Sequence, residues 1–236
     1  WPSAVQRVLR PAFTPEKTWR QVRVNVDPMV ELDHRVVWPI RSREFLGTGS
    51  VSSFVEETVE TPNGEVMKRQ FVTHPGAVAI VAWNEDDDTV AVVNQYRHPV
   101  RMELVEVPAG LLDVNGEDYQ AAAARELAEE AELAAARWNV LTDIFTTPGA
   151  NEETLRIFLA RDLSAVVRPA GFQLEDEEAV MTRCFVPRED LVKYVFEGRV
   201  QSPTLVGGVL ALEVARLRGG LDKLRPANAP WLARDR

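Results

Sequence analysis

The chain has 236 residues, 45% of them hydrophobic, with 36 acidic against 27 basic side chains and a formal net charge of −9. That length and apolar fraction suffice for one sizeable core plus an arm, while the acidic balance argues against a general nucleic-acid or membrane-surface binder. Cys184 is the only cysteine, so an internal disulfide framework is excluded and a reducing cytoplasm is the expected compartment; no apolar run approaches the roughly 20 residues that cross a bilayer.

Residues 1–40 carry Trp1, Trp19 and Trp38 without a clean period, and VRVNV at 23–27 is their one candidate strand. This segment reads as an extension that packs on the body or on a partner. From 41 the pattern is regular. SVSSFVEETVET at 50–61 runs into the turn Pro62-Asn63-Gly64, and VMKRQFVTH follows at 66–74, the signature of a hairpin. AVAIVAW at 77–83 and TVAVVNQYR at 89–97 are near-continuous apolar strands. The acidic turn between them, Asn84 to Asp88, is expected to be solvated. ELVEVPAG at 103–110 is a further strand, and a helix is expected from Asp118 to Leu133, where no Gly or Pro intervenes.

Strands are expected again at 138–146 and 154–163, divided by the loop Thr147 to Glu153, and at 180–187. Helices follow at 188–197 and 203–217, the second opening with Ser202 as N-cap and Pro203 at its first position. The tail beyond Gly219-Gly220, with Pro226 and Pro230, reads as an irregular arm. His34, His74 and His98 have no metal-ligand spacing and are expected to be structural or exposed, and the acidic run Glu175 to Glu178 is expected to be a solvated loop. Strands on both sides of a central helix imply an α/β sandwich with a mixed sheet.

The stretch that carries chemistry is AGLLDVNGEDYQAAAARELAEEAEL, Ala109 to Leu133. Glu126, Glu129 and Glu130 stand at i, i+3 and i+4, so their carboxylates share one helix face. Like charges at that spacing repel, and a hard divalent cation converts the repulsion into ligation. Ala124, Leu127, Ala128 and Ala131 form the side expected to pack inward. The alternative is an ordinary solvated acidic face.

This stretch resembles the Nudix box. From Glu117 the match runs through seven residues to Arg125-Glu126-Leu127, then Ala128, Glu129-Glu130, Ala131 and Leu133. Two departures stand out. Six residues rather than five separate Gly110 from Glu117, and Glu132 replaces the closing glycine. With Glu there, the helix is expected to run on through Ala134-Ala135-Ala136. Within the superfamily the chain most resembles the ADP-ribose pyrophosphatase group. HPGAVAIVA from His74, NQYRHPV at 94–100 leading into ELVEVPAG, and Pro148, 16 residues past position 132, carry that resemblance over about 41–216.

The resemblance implies an α/β fold, a Nudix-type α/β/α sandwich with N-terminal antiparallel strands. It implies a domain at 41–216 between the 1–40 extension and the 217–236 tail, and a homodimer that exchanges the 41–75 hairpin region. It further implies hydrolysis of a nucleoside diphosphate sugar, ADP-ribose foremost, to AMP and ribose 5-phosphate with Mg2+ or Mn2+. The metal ligands would be Glu126, Glu129, Glu130 and the Ala109 carbonyl, with Arg125 orienting a glutamate. Arg97 would contact the pyrophosphate, or else pair with a neighbouring carboxylate. Lys68 and Arg69 would reach substrate from the hairpin, or else remain solvated. The general base would come from the 147–153 loop, where the interval after Pro148-Gly149 falls on Glu153, with Glu152 the neighbouring alternative and substrate contact. The family's adenine-stacking aromatic is missing near Gly49-Ser50-Val51, leaving Phe45, Phe54 or a tryptophan of the extension as substitutes. Other nucleoside diphosphate sugars or dinucleotides are alternative substrates. A non-catalytic ADP-ribose sensor is the rival from another class, disfavoured because all three carboxylates are present.

Overall fold

The computed structural model describes residues 32–169 and 180–234; the candidate strand at 23–27 and the acidic run at 175–178 lie outside them. In chain order the strands are β1 (Ile40–Thr48), β2 (Ser53–Glu60), β3 (Val66–Val72), β4 (Ala77–Asn84), β5 (Thr89–Arg97), β6 (Met102–Glu106) and β7 (Ala109–Leu111). Helix α1 (Tyr119–Ala131), strands β8 (Leu133–Phe145), β9 (Thr154–Ala165) and β10 (Thr182–Pro187), helices α2 (Arg188–Phe196) and α3 (Pro203–Leu217) and the short β11 (Arg225–Pro226) complete the described set.

A small antiparallel sheet, β1-β2-β3, precedes an eight-stranded mixed sheet of order β10-β5-β4-β9-β8-β11, with β6 on β5 and β7 on β4. The buried strand β4 explains the layering. Its residues alternate between faces, as a pleat requires. Ala77, Ala79, Val81 and Trp83 join Leu155, Ile157 and Leu159 beneath α2 and α3, through Leu191, Leu205, Val209 and Leu212. Val78, Ile80 and Ala82 face the other way, with Phe158, against Ala122, Ala123, Leu127 and Ala131 of α1. The result is the expected α/β/α sandwich. At Gly208 an added Cβ would come within 2.5 Å of Val81, so α3 lies directly on the sheet.

The site is positioned by a fork. β4 and β5 pair only at Trp83–Val90 and Asn84–Thr89, then part. β6 continues on β5 and β7 continues on β4, through Ala79–Ala109, Val78–Gly110 and Ala77–Leu111. The expected single strand over 103–110 is therefore two strands. Pro108 has no N–H to give a ladder, and its carbonyl accepts from Ile80 N–H at 2.8 Å. On its other side β4 runs parallel to β9, with Ala77 opposite Leu155.

Four further expectations are corrected. The helix does not run through Ala134–Ala136: Glu132 takes the left-handed conformation at φ 55° and its N–H closes on the Leu127 carbonyl, so β8 begins at Leu133. Its inward face is Ala122, Ala123, Leu127 and Ala131 together with the buried Glu129 and Glu130, and Ala124, on the opposite side of the helix from the carboxylates, is exposed. The tail is not an arm. β11 pairs with β8, and Trp231 is 1% exposed. The Asn84–Asp88 turn is only partly solvated, since Asp88 accepts from Trp83 Nε1 at 2.9 Å and from the buried Arg188 at 2.9 and 2.7 Å. That arginine holds the Asp88 carboxyl below its ordinary value, with the Trp83 bond adding to the effect.

Candidate active site

Helix α1 starts where Asp118 accepts from the N–H groups of Gln120 and Ala121 at 2.9 and 3.1 Å, satisfying two of the helix's orphan donors. Its left-handed end is a position where glycine is ordinarily preferred. Here Glu132 is held by Arg183 and by Arg168 at 3.5 Å, and Arg183 keeps its carboxyl below the usual range. The missing glycine of the sequence pattern is thus replaced by a glutamate tied down from outside the helix.

Glu126, Glu129 and Glu130 project from one side of α1, and the latter two are buried. Burying carboxylates demands compensating partners. Arg125 supplies one set: Nη1 donates to Glu126 at 2.7 Å and to Glu129 at 3.0 Å, while Nε and Nη2 grip Glu117, each at 3.1 Å. The Glu117 bond, more than the others, raises Arg125 above its already high ordinary pKa. Glu130 accepts the Ala109 N–H at 3.0 Å. At Gly110 a Cβ would lie 1.9 Å from the Glu126 carboxyl carbon, so only glycine lets β7 approach the carboxylates this closely.

Among the described residues, no three His, Cys, Asp or Glu side chains already stand in a metal-holding arrangement, because the Arg125 guanidinium lies between Glu126 and Glu129. The donor set nevertheless fits a hard divalent cation. Three carboxylates within one helical turn face a backbone strand kept free of side chain at Gly110, and oxygen is the ligand such ions take.

The other expected residues are distributed around the fork and the small sheet. Arg97, at the end of β5, holds Glu106 on β6 at 3.2 and 2.6 Å, so it does pair with a neighbouring carboxylate, beside the strand that leads to Ala109. Lys68 on β3 pairs with Glu56 at 2.6 Å. Arg69 donates to the Lys68 carbonyl at 2.9 Å and lines a cleft of about 330 Å³ with Phe71, Phe145, Pro148, Asn151 and Glu152. Phe45 and Phe54 are exposed on the small sheet; the aromatic faces at the cleft are Phe71 and Phe145, which sequence reasoning missed because only the fold brings β3 against the loop.

Glu152 is exposed, whereas Glu153 is partly buried. Thr146 donates to Glu153 Oε2, His74 Nε2 lies 3.7 Å from Oε1, and the Glu153 N–H donates to Asn151 Oδ1 at 2.8 Å. Glu153 is thus not gathered with the box carboxylates. Ala109 lies opposite Ala79, which lies opposite Ile157, four residues after Glu153. At strand spacings of about 4.8 Å and rises of about 3.3 Å, the Ala109 and Glu153 backbones stand roughly 16 Å apart.

The NUDIX domain model matches residues 73–204, and the chain belongs to the NUDIX family: it is a Nudix hydrolase, an enzyme of the pyrophosphohydrolase kind. Its relatives narrow the neighbourhood. The chain is 39% identical over 193 residues to an ADP-ribose pyrophosphatase of Mycobacterium tuberculosis, covering 82% of this chain and 90% of the relative. It is 37% identical over 154 residues to an ADP-ribose pyrophosphatase of Bacillus subtilis, covering 65% and 80%. A crystal structure of an ADP compounds hydrolase shares the fold at a TM-score of 0.62 with 18% identity, over 81% of this chain and 100% of that one. Among the described residues no helix is long and apolar enough to cross a membrane.

Proposed function

We propose that this enzyme hydrolyses the pyrophosphate bond of a nucleoside diphosphate sugar, ADP-ribose foremost, giving AMP and ribose 5-phosphate. The observation that carries this reading is the approach of Ala109-Gly110 to the Glu130 and Glu126 carboxylates on α1, in a chain 39% identical to an ADP-ribose pyrophosphatase. Glu126, Glu129, Glu130 and the Ala109 carbonyl would hold Mg2+ or Mn2+. Bound there, the cation neutralises pyrophosphate charge and lowers the pKa of water.

The protein's own groups do the rest. Arg125 balances the carboxylate charge and fixes the orientation of Glu126 and Glu129. Arg97, fixed by Glu106, meets the pyrophosphate; Lys68 and Arg69 add positive charge from β3, and Glu152 lies at the cleft wall. The nucleobase rests between Phe71 and Phe145, apolar rings suited to a flat heterocycle. Glu153 accepts the proton of the attacking water as its oxygen bonds one phosphorus and the bridging bond to the other breaks. With the Ala109 and Glu153 backbones roughly 16 Å apart, closing of the 147–153 loop would bring the carboxylate nearer the box, as in many enzymes that sequester substrate before reaction.

In this reading a domain at 41–216 stands between the extension at 1–40 and the tail at 217–236, and a homodimer exchanges its 41–75 hairpin region. Its sheet exposes Ile40, Phe45, Leu46, Phe54 and Val66, an apolar surface of the kind that marks interfaces. The single cysteine suits a cytoplasmic enzyme.

The test is a panel of nucleoside diphosphate sugars and dinucleotides incubated with Mg2+ or Mn2+, with products separated and chelator controls. ADP-ribose should yield AMP and ribose 5-phosphate, and EDTA should abolish turnover. Cleavage of another panel member with ADP-ribose intact would refute the substrate; binding of ADP-ribose without cleavage of any member would refute catalysis.

A further inference from the structure

His74 immediately precedes β4, in the stretch that also holds Pro75 and Gly76. It is largely buried, with 14% of its side chain exposed, and faces Glu153, 23% exposed. Its two ring nitrogens have different neighbours. The Gly76 N–H donates to Nδ1 at 3.0 Å, so Nδ1 presents a lone pair and the ring proton of the neutral imidazole sits on Nε2. Nε2 is the nitrogen 3.7 Å from Glu153 Oε1. The backbone bond therefore selects the tautomer that aims a donor at the carboxylate.

The geometry around this pair is fixed from several directions. Gly76 has φ 86°, a left-handed turn that glycine adopts without strain. Arg234, from the tail, donates to the Pro75 carbonyl and, at 3.3 Å, to Thr154 Oγ1, so one guanidinium ties the residue after His74 to the residue after Glu153. Thr146 holds the other carboxylate oxygen. On the far side, the Leu112 N–H donates to the Gly76 carbonyl at 3.0 Å. The His74–Gly76 turn thus stands between the strand leading to the box helix and the loop carrying Glu153.

We propose that His74 is the positioning residue of Glu153, its Nε2–H orienting the carboxylate that takes the proton from water. This rests on the reading of Glu153 as the general base. Thr146 donates to Oε2, and His74 Nε2 faces Oε1 at 3.7 Å, beyond direct hydrogen-bond length, so the ring limits the carboxylate's rotamers by its bulk and dipole and is placed to donate on a small approach. His74 touches no substrate in this scheme; it acts through Glu153 alone.

Two substitutions separate the roles of the ring nitrogens. In His74→Asn the side-chain oxygen replaces Nδ1 and keeps the Gly76 turn, but nothing reaches Glu153. In His74→Gln the amide nitrogen extends to about the place of Nε2 and keeps the donor. Both are compared with wild type for kcat and KM with ADP-ribose and Mg2+, alone and in a Glu153→Gln background, with amide hydrogen exchange of residues 146–154 as a readout independent of turnover. His74→Asn should lower kcat by about 10-fold with KM unchanged, the lower end of what a misaligned general base costs. His74→Gln should recover most of that loss, exchange in the loop should rise in His74→Asn only, and neither change should matter once Glu153 is Gln. Equal losses in both variants, or a further loss in the Glu153→Gln background, would show a merely structural histidine and overturn the proposal, as would wild-type kcat and exchange in His74→Asn. If Glu153→Gln alone keeps wild-type turnover, the base assignment fails; faster loop exchange in His74→Asn but not in His74→Gln would then still uphold the contact.

Discussion

Replacing Arg156 with Met tests how the tail is held to the body. The Arg156 side chain is wholly buried and donates to Asp143 at 2.7 and 3.1 Å, to the Ala229 carbonyl at 2.7 Å and to the Pro230 carbonyl at 3.1 Å. Its guanidinium carbon lies 4.7 Å from the centre of the Trp231 ring. Removing one partner of a buried ion pair costs about 3–5 kcal/mol. Asp143 keeps Arg225 at 2.7 Å and is 19% exposed, which draws its share toward the low end. The two orphaned carbonyls cost about 1 kcal/mol each and the ring contact about 1 kcal/mol more. Those contributions overlap, and the Met side chain refills part of the space, so about 4 kcal/mol is expected. For a body of this size that corresponds to a fall in Tm of roughly 8–16 °C. Circular-dichroism melts would measure it, and chymotrypsin should cut after Trp231 in the variant while sparing the wild type. A shift below about 3 °C with Trp231 still protected would refute the assignment of Arg156 as the anchor of the tail.

Glu130→Gln keeps shape and an acceptor for the Ala109 N–H but removes a charge, so turnover should fall by roughly 100-fold or more with the melting curve unchanged; near-normal kcat at saturating Mg2+ would mean that this buried carboxylate serves packing and not a catalytic metal. Gly110→Ala puts a methyl group 1.9 Å from the Glu126 carboxyl carbon and should weaken apparent Mg2+ affinity by about 10-fold or more, as a displaced ligand shell does, with little loss of stability because the far end of a side chain can swing away. An unchanged Mg2+ titration would refute that. Asp88 has its pKa lowered chiefly by Arg188, so its contribution is fully present above the unfolded value of 3.8 and is lost as pH falls through the lower folded value. Tm of wild type minus that of Asp88→Asn should therefore be largest near neutral pH and shrink below about pH 4; a difference independent of pH would contradict the ion pair.

What could be read from the chain was local. β5 and α3 have the expected bounds, 89–97 and 203–217, because an uninterrupted apolar run and a Pro at the first helical position are one-dimensional signals. The three carboxylates are equally local, since i, i+3 and i+4 spacing needs no fold to bring them together. What escaped depends on distant partners. Arg183 lies 51 residues from the glutamate it holds at the end of α1, and that pairing, absent from any local pattern, accompanies the sharp stop at Ala131. The tail looks irregular because its order comes from Arg156, on β9, not from its own periodicity. His74 has no partner within its own segment except the Gly76 N–H, so nothing near it in sequence could announce Glu153.

The same long-range bonds constrain how the base can reach the box. The 147–153 loop is tied to the end of β3: Val72 N–H donates to the Ala150 carbonyl at 2.9 Å, and Glu152 N–H donates to the Val72 carbonyl at 3.2 Å. A movement of the loop toward α1 either breaks both bonds or carries the end of β3 with it. The second course costs less, because β3 belongs to a largely exposed three-stranded sheet whose own contacts with the main body are few, whereas each severed backbone bond leaves a donor and an acceptor to be satisfied anew. If the proposed base is Glu153, closure by that course would shift Lys68 and Arg69 together with it, coupling the positive charge of β3 to the proton acceptor. The cleft lined by Phe71 and Phe145 lies across that joint, with one ring on each side of it. On the proposed reading, a base held between the rings would favour that arrangement, so truncating Phe71 to Ala should lower kcat as well as raise KM for ADP-ribose; a change in KM alone would refute the coupling.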